Sequence, residues 1–198
     1  MEATNAERIV KDALSEQLVR ACQDGNPEAQ RELYECHKAK VYSLALYLSG
    51  DAALAHDLTQ EIFVKAFRDL RTFRFESSFS SWLYRLATNT CLNALRDRRA
   101  RREVNLEEVV GKPQEFDVGQ SLEQQQMSQQ MQRVVREAIL SLKPPLRAVV
   151  VLRYVEDLSY SEIARVLACS EGTVASRLSR AHRLLERKLN AWAEAMTW

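Results

Sequence analysis

The chain has few of the residues that break regular structure, with only five glycines and four prolines among its 198 residues. This scarcity argues against a loop-rich or disordered protein. No apolar run approaches the roughly 20 residues that cross a bilayer, and the N-terminal residues lack the apolar centre of a secretion signal. These absences predict a cytoplasmic protein with no membrane insertion, in which helices dominate.

Residues typical of metal and catalytic sites are also scarce. There is no CxxC pair, no HExxH, no glycine-rich phosphate loop and no cluster of carboxylates or histidines at catalytic spacing. The sequence therefore predicts no enzyme, no cofactor and no metal site. Because they lie far apart in a cytosolic chain, the four cysteines are expected to be buried or half-buried small residues rather than disulfides. They are Cys22, Cys36, Cys91 and Cys169.

Charge is segregated along the chain, although the formal net charge is only +1. Arginines crowd two segments, near residues 96–102 and 177–188, and an acidic stretch separates them. That stretch also contains Gly111, Pro113 and Gly119 and has no sustained periodicity, which is typical of a linker. The prediction is an all-α protein with two small helical domains, residues 12–102 and 122–192, joined by a flexible acidic linker at 103–121.

Helix boundaries in the N-terminal domain can be predicted from capping residues. Asn26 before Pro27 predicts the start of a long helix that ends near Gly50, and Asp51 is placed to cap the next helix, up to Leu70. A polar stretch with scattered aromatic residues at 72–81 predicts an ordered loop. A third helix is expected to begin near Trp82.

The C-terminal domain carries the pattern of a helix-turn-helix between residues 159 and 188. Ser159 and Glu162 form a capping-box pattern for a first short helix, and Ser170 is placed to cap a second. The second helix has a buried stripe and an opposite stripe of Ser176, Arg180, Arg183 and Arg187. Such a helix is suited to the major groove, where arginine matches guanine edges or phosphate.

Residues 146–154 are interpreted as a helix despite the strand-like Val149, Val150 and Val151.

Two segments, in the expected order, resemble the sigma-70 family in its extracytoplasmic function (ECF) group. YSEIARVLACSEGTVASRLSRAHRLLERKL resembles the module that reads the minus-35 promoter element, and DLTQEIFVKAFRDLRTFRFESSFSSWLYRLATNTCLNALR resembles the N-terminal module. The resemblance implies a factor that binds core RNA polymerase, directs promoter-specific initiation and nucleates DNA melting at the minus-ten element. The alternative is a stand-alone helix-turn-helix regulator, which would need only the C-terminal half.

The resemblance also implies three sets of contact residues. The expected minus-35 contacts are Arg153, Thr173, Ser176, Arg177, Arg180 and Arg183. The expected minus-ten contacts, which capture an unpaired base, are Arg74, Trp82, Arg85, Asn89, Asn93 and Arg96. The residues expected to bind the clamp helices of the polymerase's largest catalytic subunit are Asp57, Gln60, Glu61, Lys65 and Arg68. Near the minus-ten set, Phe79 and Tyr84 are expected to pack in the core rather than to contact DNA.

The same resemblance implies further partners, and it also shows where this sequence differs from the family pattern. It implies control by an anti-sigma factor and a monomeric state in the free protein. The acidic linker either threads the polymerase cleft through Glu107, Glu108, Glu115 and Asp117 or is only solvated. Ala175 and His182 stand where many relatives carry basic residues, and His182 is expected to adjoin the arginine stripe.

Overall fold

A computed structural model describes residues 16–104 and 122–195, with side chains over 16–101 and 130–194, and all regular secondary structure in these ranges is helical. The all-α prediction is confirmed. The carboxylates of the expected linker, at Glu107, Glu108, Glu115 and Asp117, lie outside the described residues. None of the described helices is long and apolar enough to cross a membrane.

Helix α1 comprises residues 16–23, and a short 3₁₀ turn at Leu70–Thr72 follows the third helix. The remaining helices, in chain order, are α2 Pro27–Ser49, α3 Ala52–Asp69, α4 Phe79–Val104, α5 Leu122–Leu140, α6 Pro144–Tyr154, α7 Tyr160–Val166 and α8 Glu171–Ala195. The valine-rich segment before Tyr154 is thus a helix, as predicted.

Local capping determines where most of these helices begin. The Asn26 side chain accepts hydrogen bonds from two backbone N–H groups at the start of α2, and Asp51 accepts one from Leu54 at the start of α3. Gly50 ends α2 with φ +71°, a left-handed conformation that glycine adopts without steric cost. Ser159 and Glu162 form the complete capping box of α7. These predicted caps are confirmed.

Helix α4 differs from the prediction at both ends. It begins at Phe79, three residues before Trp82, because the Ser78 side chain caps it by accepting from the Ser81 N–H at 3.2 Å. It continues to Val104, two residues past the expected end of the N-terminal domain. Consecutive serines and aromatic residues at 77–82 resemble a loop in sequence, but they provide a cap at Ser78 and a buried first residue, Phe79.

Cysteine burial follows the prediction at three of the four positions. Cys22 and Cys91 are buried and Cys169 is half-buried, and burial raises the pKa of the Cys22 thiol to about 11 and that of Cys91 to about 12. Cys36 was predicted to be at least half-buried, and this is wrong, because it lies exposed on the outer face of α2. Its position between charged neighbours, Glu35 and Lys38, places it on the solvent side of that helix.

A single arginine of α6 joins the N-terminal half of the chain to the C-terminal half. Arg147 is only 9% exposed, and its guanidinium donates hydrogen bonds to the carbonyls of Leu48 at the end of α2 and Leu140 at the end of α5. A further bond of 3.1 Å reaches the carbonyl of Leu142. The last carbonyls of a helix have no partner within the helix, so Arg147 caps two helices at once.

Other contacts extend this junction on both sides. Leu140 packs so closely on Gly50 that a Cβ there would lie 2.8 Å from the leucine side chain. The Tyr84 hydroxyl of α4 donates to the carboxylate of Glu156, just after α6. The helices of the N-terminal half, α2 and α4, consequently pack against α5, α6 and α7, and the buried apolar residues of both halves form one cluster.

We expect the substitution Arg147→Met to destabilise the folded chain by about 2 to 4 kcal/mol, because it leaves buried carbonyls of two helix ends without a donor. Urea unfolding followed by circular dichroism measures this change. Arg31→Met, at an exposed position of α2, is the matched control and should change the free energy of unfolding by less than about 0.5 kcal/mol. Equal stability of the two variants would contradict the capping role of Arg147.

Glu156 makes the stability of the docked halves depend on pH. Desolvation raises the pKa of this carboxyl above its ordinary value of 4.5, against the opposing effects of Tyr84 and Lys40. A raised pKa means that the folded state binds the proton more tightly than the unfolded state does. The contribution of this carboxyl to stability therefore falls as pH rises from the ordinary pKa of glutamate through the higher pKa of the folded state. Glu156→Gln retains an acceptor for Tyr84 without the charge.

The Glu156→Gln variant should therefore melt at a higher temperature than the parent chain at neutral pH. The difference should disappear below the ordinary pKa of glutamate, where both side chains are neutral. Thermal melts at the two pH values, with the exposed Glu186→Gln as control, test this expectation. A lower melting temperature of Glu156→Gln at neutral pH would contradict it.

Candidate nucleic-acid interface

Helix α8 presents a basic face to solvent and an apolar face to the core. Val174, Leu178 and Ala181 are buried against α6 and α7. Ser170 caps the helix by accepting from the Thr173 N–H at 3.1 Å, as predicted. The residues of the expected reading stripe, all exposed, are Ser176, Arg180, Arg183 and Arg187.

An open groove of about 1080 Å³ runs along one flank of this face, beside the turn between α5 and α6. Arg177, Arg180 and Arg183 line it, together with Arg187 and Lys143. Because one carboxylate, Glu186, accompanies these five cations, the groove has a strong positive charge. Three of the six residues predicted to contact the minus-35 element therefore share one surface suited to phosphate.

The other three predicted minus-35 residues are placed differently. Thr173 is half-buried in the first turn of α8, and the Ser176 hydroxyl donates to its carbonyl at 3.0 Å. Arg153 belongs to the last turn of α6, not to α8, and its guanidinium donates to the carbonyl of Leu158 at 2.9 Å. In this arrangement Arg153 stabilises the turn into α7, so the structure does not join it to the α8 cluster.

His182 lies on the flank of α8 away from the groove. One of its ring nitrogens is 2.8 Å from the hydroxyl of Tyr154, whose side chain is 60% exposed. The helical turn thus gives His182 a contact at the end of α6, and its expected place beside the arginine stripe stays a prediction. Sequence reasoning also missed Tyr154, which is 28 residues away and forms no local pattern with His182.

A second polar face lies on α4. Arg85, Asn89, Asn93 and Arg96 follow one another at steps of four, four and three, and all four are exposed. This spacing places them along one side of the helix. Arg74, in the preceding loop, is exposed too. Five of the six residues predicted for the minus-ten element are thus free to meet a ligand.

Trp82, the sixth, is half-buried in an aromatic cluster. Its ring centroid lies 5.5 Å from that of Phe73 and 5.7 Å from that of Phe79. Phe79 and Tyr84 are buried, at 5% and 7% exposure, as their expected packing role requires. Aromatic surface next to cationic and amide side chains is the combination that holds single-stranded nucleic acid.

Helix α3 carries the third predicted surface. Asp57, Gln60, Glu61 and Arg68 are exposed, and Lys65 is half-buried, with its ammonium 2.5 Å from the Glu61 carboxylate. In this face lies Val64, whose side chain is 70% exposed. Sequence reasoning missed Val64, although its spacing of four and three residues from Gln60 and Glu61 identifies it as a member of the same stripe.

Comparison with known families identifies both halves of the chain. The profile described as Sigma-70 region 2 matches residues 33–101, and the profile described as Sigma-70, region 4 matches residues 132–185. The first match includes α3 and most of α4, and the second includes the helix-turn-helix up to residue 185. The polar faces of α4 and α8, except Arg187, thus fall within different matched regions.

Relatives match over nearly the full length. The ECF RNA polymerase sigma-E factor of Haemophilus influenzae is 35% identical over 191 residues, which are 93% of this chain and 97% of that protein. The RNA polymerase sigma-H factor of Pseudomonas aeruginosa is 36% identical over 88% of this chain and 93% of that protein.

Among solved structures, CnrH in complex with the cytosolic domain of CnrY aligns with a TM-score of 0.66 at 25% identity, covering 89% of this chain and 97% of CnrH. The sigma factor RpoE of Bartonella quintana, solved with the anti-sigma factor NepR, shares the fold with a TM-score of 0.64 at 24% identity, covering 81% and 96%.

The charge of the α8 face predicts binding to duplex DNA that depends steeply on salt. We expect Arg180→Ala and Arg183→Ala each to lower the slope of log affinity against log salt by about 0.9, the value of one lost phosphate contact. Fluorescence anisotropy titrations at several salt concentrations measure the slope. Arg31→Ala on α2 is the control, and a slope unchanged by either α8 substitution would contradict the assignment.

Proposed function

Because this chain belongs to the sigma-70 family, in its ECF group, we propose that it binds core RNA polymerase and directs promoter-specific transcription initiation. It reads the minus-35 and minus-ten elements and nucleates DNA melting, without catalysing a reaction itself. The observation that carries this proposal is the presence of two separate exposed polar faces, on α8 and on α4, in one chain. Its place of action is the cytoplasm, where the polymerase meets DNA.

Minus-35 reading belongs to residues 122–192 in this proposal. The arginines of the α8 groove offer planar donors that match guanine edges or phosphates. Thr173 and Ser176 lie in the N-terminal turns of α8, which are the first to enter the major groove of DNA in helix-turn-helix docking. Arg153 acts indirectly by holding the turn before α7, as its bond to the Leu158 carbonyl supports.

Minus-ten reading belongs to residues 12–102, on the face of α4. Asn89 and Asn93 can read a base edge, while Arg85 and Arg96 hold the backbone of the opened strand. Arg74 and Trp82 flank the place where the loop enters α4. The exposure of the four α4 residues supports this assignment.

Polymerase binding belongs to the exposed face of α3. Asp57, Gln60, Glu61, Lys65 and Arg68 form its polar rim, and Val64 supplies an apolar centre. An apolar side chain surrounded by polar ones is the usual arrangement of an interface hot spot. We therefore add Val64 to the surface that meets the clamp helices.

The docked halves are too close together to read both promoter elements at once. The elements lie about 25 base pairs apart, a span of about 85 Å at 3.4 Å per base pair. Helix α4 is only about 39 Å long, and the bond from Tyr84 to Glu156 holds the C-terminal half against it. We therefore propose that the halves separate on polymerase while residues 105–121 keep them connected, with the acidic side chains of that linker in the cleft.

An anti-sigma partner is part of the proposal. CnrH, which shares the fold, was solved in complex with the cytosolic domain of CnrY. A partner that covers α3 or α8 would compete with polymerase or DNA, and the free chain is proposed to be a monomer. The stand-alone regulator is not favoured, because it would leave the surfaces of α3 and α4 without a function.

Reconstituted transcription tests the proposed function. The purified chain and core polymerase are incubated with promoter fragments that transcript-start mapping in the source bacterium identifies as dependent on this chain. Specific transcripts are expected only when both proteins are present, and DNA binding by the chain alone should be weak. Failure to direct initiation from any of these promoters, or tight dimeric binding to a two-fold DNA site without polymerase, would overturn the proposal.

The substitution Val64→Glu should weaken binding to core polymerase at least about tenfold, because it buries a charge at the centre of the interface. Fluorescence anisotropy of labelled protein titrated with core enzyme measures the affinity. Val135→Glu, at another exposed valine on α5, is the matched control. Equal affinities of the two variants would show that Val64 lies outside the contact.

A further inference from the structure

Helix α1 lies before the segment that matches Sigma-70 region 2, yet it is bonded to the loop that leads into α4. The side-chain amide of Gln23 donates to the carbonyl of Leu70 at 3.0 Å and to the carbonyl of Phe73 at 2.9 Å. A carboxamide has two N–H donors, so both are directed into this loop. These bonds tie two points of the loop to a helix about 50 residues away in sequence.

The same helix also holds a strained residue of the loop. Phe75 has φ +59°, in the left-handed region that bulky side chains rarely adopt. Its ring packs on Phe73 with centroids 4.9 Å apart, and the Arg20 guanidinium of α1 lies 4.3 Å from its centroid. Strained conformations persist only where the surroundings enforce them. Here Arg20 and Phe73 both contact the ring.

The loop in turn contacts the surface proposed to meet the minus-ten element. Phe73, whose backbone Gln23 holds, packs its ring on Trp82. Arg74 stands between Phe73 and Phe75 and is exposed. The placement of α1 therefore fixes the positions of both Arg74 and Trp82, through the aromatic cluster that includes Phe73.

We propose that Gln23 and Arg20 are positioning residues that preform the loop for capture of an unpaired promoter base. This inference rests on the proposed function. The ligand is a single DNA strand, bound by stacking on aromatic surface and by a neighbouring cation. A loop already held in its binding conformation loses less conformational entropy on binding, which raises both affinity and selectivity for the captured base.

The test uses holoenzyme assembled from core polymerase and the full chain. Its probes are single-stranded oligonucleotides with the minus-ten sequence of a mapped promoter, either intact or changed at one base. Gln23→Met removes both donors at similar volume, and Gln17→Met on the exposed side of α1 is the matched control. We expect Gln23→Met to weaken binding of the intact strand about tenfold, as for the loss of two hydrogen bonds, and to reduce discrimination between the strands.

Arg20→Ala provides a second variant that does not endanger folding, because the Arg20 side chain is 58% exposed. It should also reduce discrimination, while affinity for core polymerase stays unchanged for both variants. Discrimination equal to the parent's in both variants would overturn the inference, even if their melting temperatures fall. If the parent holoenzyme initiates at no mapped promoter, the proposed function fails instead, so the two failures can be told apart.

Discussion

The arrangement of the two halves depends on one buried guanidinium that two helices share as a cap. Neither α2 nor α5 has a basic residue in its own last turn, and Arg147 from α6 supplies the positive charge at both C-terminal ends. Burial lowers the pKa of Arg147, since desolvation disfavours the charged form. Three carbonyls offset part of that cost in the docked state, although the Nε–H has no partner among the described residues, and water would replace the Leu48 carbonyl when the halves are apart. Because water can replace a lost carbonyl as the hydrogen-bond acceptor, the junction can open without leaving the guanidinium charge unsatisfied.

The proposed contact surfaces lie outside this junction. The exposed faces of α3 and α8 point to solvent in the docked chain, and so do the arginines and asparagines of α4. A net charge of only +1 is compatible with DNA binding because the cations of α8 gather at one groove. Each proposed surface is therefore accessible to its partner in the docked chain. Contact with both promoter elements at once requires Tyr84 and Glu156 to separate.

Local patterns explain which features could be predicted from the sequence. The caps at Asn26, Asp51 and Ser159 bond to residues two or three positions away, so the sequence contains the whole interaction. The bonds of Arg147 to Leu48, and of Tyr84 to Glu156, join residues 99 and 72 positions apart and leave no periodic trace. For the same reason the polar faces of single helices could be predicted, whereas the support that α1 gives to the loop before α4 could not.

Separation of the two halves on polymerase would lengthen the distance between them, which energy transfer between two dyes measures. Cys36 is exposed in the N-terminal half, and Ser179→Cys adds a second label site on α8. Cys169→Ser removes the half-buried thiol, while burial and raised pKa values keep Cys22 and Cys91 unreactive. Energy transfer between the two dyes should be efficient in the free chain and should drop when the promoter complex forms. Efficient transfer that persists in a complex actively initiating transcription would show that the halves stay docked.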